Sequence, residues 1–201
     1  DIEIHALKMG MVSSSKLISA IAETLRSITS LPPLVLDPVM VSKSGYRLLD
    51  SDAQKALIEE LFPLAWVVTP NILEAEALLN RRIESVEDMR SAAEKIHQMG
   101  ATNVVLKGGH KKSKEATDII FAHNRYDLVQ APRIETPNTH GTGCTFSSAI
   151  AANLALGLDI FEAVRGAKEY VSGAIAHSLA IGKGYGPTNH FFDLYAKAGL
   201  K

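Results

Sequence analysis

The chain has 201 residues, of which 46% are apolar, and a formal net charge of −1. That length and apolar content imply a single α/β domain with a sizeable core. The near-zero charge gives no reason to expect nucleic acid or an anionic membrane surface as partner, and the lack of a basic aromatic patch further disfavours nucleic-acid binding.

In chain order, Ile4 to Met11 reads as a strand, and Ser13, Ser14 or Ser15 caps a helix from Lys16 to about Ile28. Leu34 to Leu36 is a buried strand ending at Asp37-Pro38. Ser51 or Asp52 caps a helix that ends near Phe62, and Trp66 to Thr69 is a strand stopped by Pro70. Helices follow from Ile72 to Leu79 and from Val86 to Met99, then a strand from Asn103 to Leu106. Strands at Asp118–Phe121 and Asp127–Val129 flank His123-Asn124 as a hairpin. Two long helices, about Thr142–Leu156 and Ile160–Ile181, close the chain. Continuous apolar strands separated by helices predict a parallel sheet covered on both faces. No apolar run is long enough to span a bilayer. The single cysteine fits a reducing, cytoplasmic setting, and Asp1 to His5 lacks the basic start and apolar run of a signal peptide. The first residue is Asp, and the opening residues read as the middle of a strand, so a fragment is expected.

Ligands of such sheets bind at the carboxyl ends of the strands. The residues there are Gly10-Met11, Asp37, Asn71 with Glu74, and Lys107-Gly108-Gly109. The most pointed segment is Asn138-Thr139-His140-Gly141-Thr142-Gly143-Cys144, a small-residue turn that runs into an apolar helix. Helix starts carry unpaired N–H groups and the positive end of the dipole, and glycines let an anion approach the backbone. Phosphate is the anion expected there. The turn is neither a Walker A motif nor a dinucleotide fingerprint, because it lacks Gly-Lys-Ser/Thr and Arg133 to Asn138 is not a buried strand. The plain alternative is a tight turn capped by Thr142.

Each candidate has a structural reading beside the functional one. Cys144 is either a small buried hydrophobe or a first-turn thiol of lowered pKa, fit to act as a base or nucleophile. A thiolate metal site with His140 lacks further cysteine ligands. Lys107 either snorkels at the surface or reaches a phosphate held by the glycine turn. Asp37 and Glu74 suit a magnesium ion carried with a nucleotide. Otherwise they are a strand-end turn residue and a first-turn acid favoured by the helix dipole.

The motifs Lys8-Met9-Gly10-Met11, Leu36-Asp37-Pro38-Val39-Met40, Thr69-Pro70-Asn71 with Glu74 and Glu76, Leu106-Lys107-Gly108-Gly109-His110 and Asn138 to Cys144 occur in this order. The tail Gly184-Tyr185-Gly186-Pro187-Thr188-Asn189-His190 follows them. Together they resemble the hydroxymethylpyrimidine/phosphomethylpyrimidine kinases of thiamin biosynthesis. These belong to the ribokinase-like superfamily and are close to pyridoxal kinases. The resemblance implies a three-layer α/β/α fold with a mostly parallel sheet, ATP and Mg2+ as cofactors, and a homodimer. It implies that Gly141, Thr142, Gly143 and Cys144 form the anion hole for the moving phosphoryl group. Cys144 would stand where ribokinase relatives usually carry a catalytic Asp. Lys107 would contact ATP phosphates, and Asp37 and Glu74 would serve the metal, with Asn71 beside them. Met11, Val39 and His140 would touch the pyrimidine. The family's opening strand and Gly-rich turn, and the following segment with a pyrimidine-binding Gln, have no match in this chain. The alternatives are a pyridoxal or pyridoxine kinase and a catalytically silent nucleotide-binding remnant.

Overall fold

The computed structural model describes residues 2–41, 46–109 and 114–200. His110, the last residue of the strand-end lysine motif, lies outside them. Six strands form one sheet in sequential order: β1 (Leu7–Met9), β2 (Leu34–Leu36), β3 (Val67–Val68), β4 (Asn103–Leu106), β5 (Glu115–Ala122) and β6 (Arg125–Pro132). The first four are parallel, and β5 and β6 run antiparallel. The hairpin is longer than its apolar centre suggested, because cross-strand pairing runs from Ala122 opposite Arg125 to Glu115 opposite Pro132. His123 (φ 51°) and Asn124 (φ 56°) supply the two left-handed residues of a tight primed turn.

A sheet whose parallel strands follow one another in sequence places all its right-handed crossovers on one face. That face carries α1 (Ser15–Arg26), α2 (Ser51–Ala56), α3 (Ile72–Leu79) and α4 (Val86–His97). The opposite face is covered by α5 (Thr142–Ala155) and α6 (Ile160–Ala176), with a short α7 (Phe192–Lys197) after them. The period-2 alternation of a strand divides the core. Leu34, Leu36, Val68, Val104, Leu106, Ile119 and Phe121 pack under the first four helices. Val35, Val67, Val105 and Ile120 pack under α5 and α6. Every strand residue from Leu34 to Leu36 and from Val104 to Leu106 is therefore buried, which is why these strands read as continuous apolar runs.

Several boundaries differ from the sequence reading: β1 spans Leu7–Met9 rather than Ile4–Met11, β3 spans Val67–Val68 rather than Trp66–Thr69, and α4 ends at His97 rather than Met99. Asp50, rather than Ser51 or Asp52, caps α2: its Oδ1 accepts the Ala53 N–H at 2.7 Å. The helix then widens into a π turn over Leu57–Leu61 and a 3-10 turn over Phe62–Leu64, where Pro63 has no N–H to continue an α ladder. α6 stops at Ala176 instead of Ile181, because Asn189 N–H takes the Ala174 carbonyl at 3.0 Å and the tail folds back along the helix. α7 went unread in the sequence. It docks through Phe192, whose ring stacks on His177 at 5.2 Å and fills the space where a Cβ on Gly173 would lie.

Candidate active site

The carboxyl ends of β2, β3 and β4 lie side by side, and their register brings Asp37, Asn71 and Lys107 together. Asp37 N–H continues the sheet to the Met9 carbonyl (2.9 Å), Thr69 N–H to Leu36 (2.9 Å) and Lys107 N–H to Pro70 (2.8 Å). Lys107 Nζ, far from snorkelling, turns inward and pairs with Asp37 Oδ1 at 2.7 Å. Asp37 is 1% exposed. The same carboxylate accepts from the hydroxyls of Thr69 (3.2 Å) and Ser147 (3.4 Å), the latter reaching across from α5.

Glu74 fulfils its plain reading as a first-turn acid and is also buried. It forms a reciprocal cap with Asn71: Glu74 Oε2 accepts the Asn71 N–H at 2.7 Å, and Asn71 Oδ1 accepts the Glu74 N–H at 3.0 Å. Burial pushes its pKa up to about 7. The neighbouring Asp37 adds to that rise, whereas Lys107 and the Asn71 amide oppose it. Two buried carboxylates within electrostatic reach of each other form a site short of positive charge.

The glycine turn completes the site. Gly141 is the residue before α5 and sits at φ 80°, a conformation that favours glycine. No side chain caps this helix. The other described helices of eight or more residues start on Ser14, Asn71, Ser85 and Asp159, each accepting a first-turn N–H. Thr142 is therefore not the cap. Its hydroxyl and its own N–H both donate to the Thr139 carbonyl, at 3.2 and 3.5 Å, so of the first-turn amides those of Gly143 and Cys144 are open to a ligand. A Cβ on Gly143 would lie 3.5 Å from Lys107 Nζ and 3.9 Å from Asp37 Oδ2, so the bare backbone, the lysine and the acid meet at one point.

A cleft of about 630 Å³ opens at this point. Its walls include Asn71, Lys107, Thr142 and Gly143, and the stripe Lys168, Val171, Ser172 and Ile175 of α6. That i, i+3, i+4, i+7 spacing runs from a cation to an apolar surface, with Pro132 and Ile134 also lining the cleft. A phosphorylated ligand with a flat apolar body matches this polarity.

The phosphomethylpyrimidine kinase profile matches residues 1–189. The chain is 50% identical over 194 residues to a hydroxymethylpyrimidine/phosphomethylpyrimidine kinase of Rhizobium meliloti, covering 95% of this chain and 72% of that one. It belongs to the phosphomethylpyrimidine kinase family. It is also 47% identical over 190 residues to a thiamine biosynthesis bifunctional protein of Geobacter sulfurreducens. That match covers 94% of this chain and only 39% of the bifunctional protein. Among solved structures, a Bacillus subtilis pyridoxal kinase in complex with ADP superposes with a TM-score of 0.86 at 38% identity, covering 96% of this chain and 72% of that one. A Clostridium difficile phosphomethylpyrimidine kinase superposes with a TM-score of 0.74 at 44% identity, covering 87% and 71%. The fold is thus the ribokinase-like one that the motifs implied.

Of the expected residues, Asn71, Lys107, Thr142 and Gly143 line the cleft. Asp37 and Glu74 are buried beside Lys107 without lining it, and Gly141 stands just before α5, also outside the lining. Met11, Val39, His140 and Cys144 do not line the cleft either. Met11 is 55% exposed beyond β1, Val39 is half-buried beyond β2, and His140 is exposed at the turn. Cys144 is exposed and opens onto a second depression with Ser148, Tyr170 and His190. The sequence reading passed over Ser147, Lys168 and Asp118. Ser147 and Lys168 carried a usable signal, since each is a polar residue at a buried position of an otherwise apolar helix face.

Gly108 gives a direct stability test of the strand-end turn. A Cβ there would lie 1.9 Å from the Thr117 carbonyl oxygen, a backbone atom that cannot swing aside. Gly108→Ala should cost roughly 3 kcal/mol or more, because β4 and β5 must part. Urea unfolding checks this; an unchanged midpoint would contradict the packing described.

Proposed function

We propose that the chain transfers the γ-phosphoryl group of ATP to the hydroxymethyl oxygen of 4-amino-5-hydroxymethyl-2-methylpyrimidine, and to its monophosphate. The observation that carries this reading is the meeting of the uncapped start of α5 with Lys107 and Asp37. Charge builds on the phosphoryl oxygens as they move, so catalysis is mainly positioning and electrostatic stabilisation. The first-turn amides of α5 and the Lys107 ammonium supply fixed positive charge at that place, with no reorganisation when the charge develops. The apolar stripe Val171 and Ile175 suits the nucleotide base.

Asp37 and Glu74 would hold a magnesium ion. Their chemistry fits, since magnesium with a nucleotide takes one or two carboxylates, with phosphate oxygens and waters completing its shell. When bound, the ion would neutralise phosphate charge. The pyrimidine would lie against the other side of the turn, near Met11, Val39, His140 and Cys144. Cys144, in the first turn of α5, would take the hydroxymethyl proton as the new O–P bond forms. If so, Cys144→Ala loses at least about 10²-fold in kcat, and near-normal turnover would remove the thiol from the mechanism.

A second reading has its own support. The pyridoxal kinase with a TM-score of 0.86 makes pyridoxal an acceptor to test beside the pyrimidine. Steady-state assays of the 201-residue chain with ATP, magnesium and each acceptor decide between them. Turnover on the pyrimidine is expected. Turnover on pyridoxal alone would reassign the substrate, and ATP binding without turnover on either would leave a nucleotide-binding protein only.

A further inference from the structure

A second buried ion pair stands beside the cleft, and the reaction outlined above does not use it. Asp118 on β5 and Lys168 on α6 are 4% and 9% exposed, and Lys168 Nζ donates to Asp118 Oδ2 at 2.7 Å. The other carboxylate oxygen, Oδ1, accepts the backbone N–H of Gly108 at 2.8 Å. One side chain therefore joins β5, α6 and the turn that directly follows Lys107. Both members of the pair line the same cleft as Lys107 and Gly143.

Stability alone is a poor reason for such a pair. Desolvating two charges consumes most of their attraction, and apolar residues of similar volume would join β5 to α6 as well. An apolar pair could not accept the amide proton of Gly108 or keep an ammonium group in the cleft wall. The turn it grips has no slack, since Gly108 already abuts the Thr117 carbonyl. We propose that Asp118 is a positioning residue for nucleotide binding. One oxygen fixes the Gly108 amide, and through it the adjoining Lys107; the other holds Lys168 as a second cation beside the phosphates. This inference rests on the cleft being the nucleotide site.

The test uses Asp118→Asn, Lys168→Met and the double variant in the full chain. Urea unfolding, ATP affinity by calorimetry with magnesium present, and steady-state kinetics are measured on each. Asp118→Asn keeps an acceptor for Gly108 but leaves Lys168 without a countercharge. About a tenfold loss of ATP affinity is expected, with KM for the pyrimidine unchanged within about twofold. The double variant buries no unpaired charge, so its unfolding midpoint should return toward wild type while ATP affinity stays about tenfold or more weakened. Recovery of ATP affinity together with stability would overturn the proposal and leave a structural ion pair. Should the double variant fail to fold, Lys168→Arg compared with Lys168→Met decides. Arg keeps a cation in the wall and should bind ATP within about threefold of wild type, whereas equal losses in the two would overturn the proposal. A wild-type chain that binds no ATP would overturn the nucleotide reading and this inference together. Strong wild-type binding with restored affinity in the double variant would overturn this inference alone.

Discussion

Lys107→Met lowers kcat for phosphoryl transfer by about 10³-fold, the scale of losing one preorganised donor from a developing oxyanion. The ammonium lies next to the bare backbone of Gly143, at the start of an uncapped helix, which is where the proposed function places the developing phosphoryl charge. The same substitution strands Asp37 in the core with, among the described residues, only the hydroxyls of Thr69 and Ser147 as side-chain donors. Removing one member of a buried pair costs about 3–5 kcal/mol. The variant is therefore less stable as well as slow, and the two effects must be separated. Lys107→Met combined with Asp37→Asn removes both charges; unfolding should recover while turnover stays lost. Lys107→Arg keeps the charge but puts a planar fork into a space where the lysine side chain is 13% exposed, so it restores only part of the rate. A folded Lys107→Met protein within tenfold of wild-type kcat would remove this lysine from the phosphate site.

Glu74→Gln stabilises the protein at pH 8 and disables it as a kinase. Burial raises the pKa of Glu74 from 4.5 to about 7. Below about pH 4.5 both folded and unfolded chains hold this proton, and the group imposes no cost. Between about pH 4.5 and 7 the unfolded chain releases it while the folded chain retains it, so wild-type stability falls as pH rises through the window. The displacement corresponds to ~3 kcal/mol once both states are ionised. Glutamine is neutral throughout, and its amide oxygen can still accept the Asn71 N–H, so the helix cap survives. The variant's advantage in urea unfolding should thus be small at pH 4.5 and reach up to ~3 kcal/mol at pH 8. Turnover should fall by about 10²-fold or more, because one of two carboxylates proposed for the metal has lost its charge. An advantage that does not change with pH would show that Glu74 is not the buried acid described here.

Both predictions turn on residues that the sequence flagged but could not explain. Glu74 looked like either a first-turn acid or a metal ligand; it forms the cap and is also a buried acid near Asp37. Lys107 looked like a surface lysine or a phosphate contact, and the register of β2, β3 and β4 put it on a carboxylate 70 residues away. The plain alternative for the glycine turn had Thr142 as the helix cap. Gly141 takes that place in a left-handed conformation, and the Thr142 hydroxyl finds the Thr139 carbonyl instead.

The sequence by itself determined what local chemistry dictates. The apolar runs at Leu34–Leu36 and Asn103–Leu106 became strands with those bounds, and Ile72–Leu79 became a helix. The small-residue turn did open onto a helix start without a side-chain cap. Periodicity and runs of small residues are properties of neighbouring residues, so they can be read in order. Tertiary structure alone decided which distant groups share a proton or a charge. Ser147 meets Asp37 across 110 residues, Lys168 meets Asp118 across 50, and the tail lies beside the glycine turn through Gly186 and His140. Those pairings follow from strand register and from which helix covers which face. Both are fixed only when the alternating strand residues divide between two cores, a choice made by the whole chain at once.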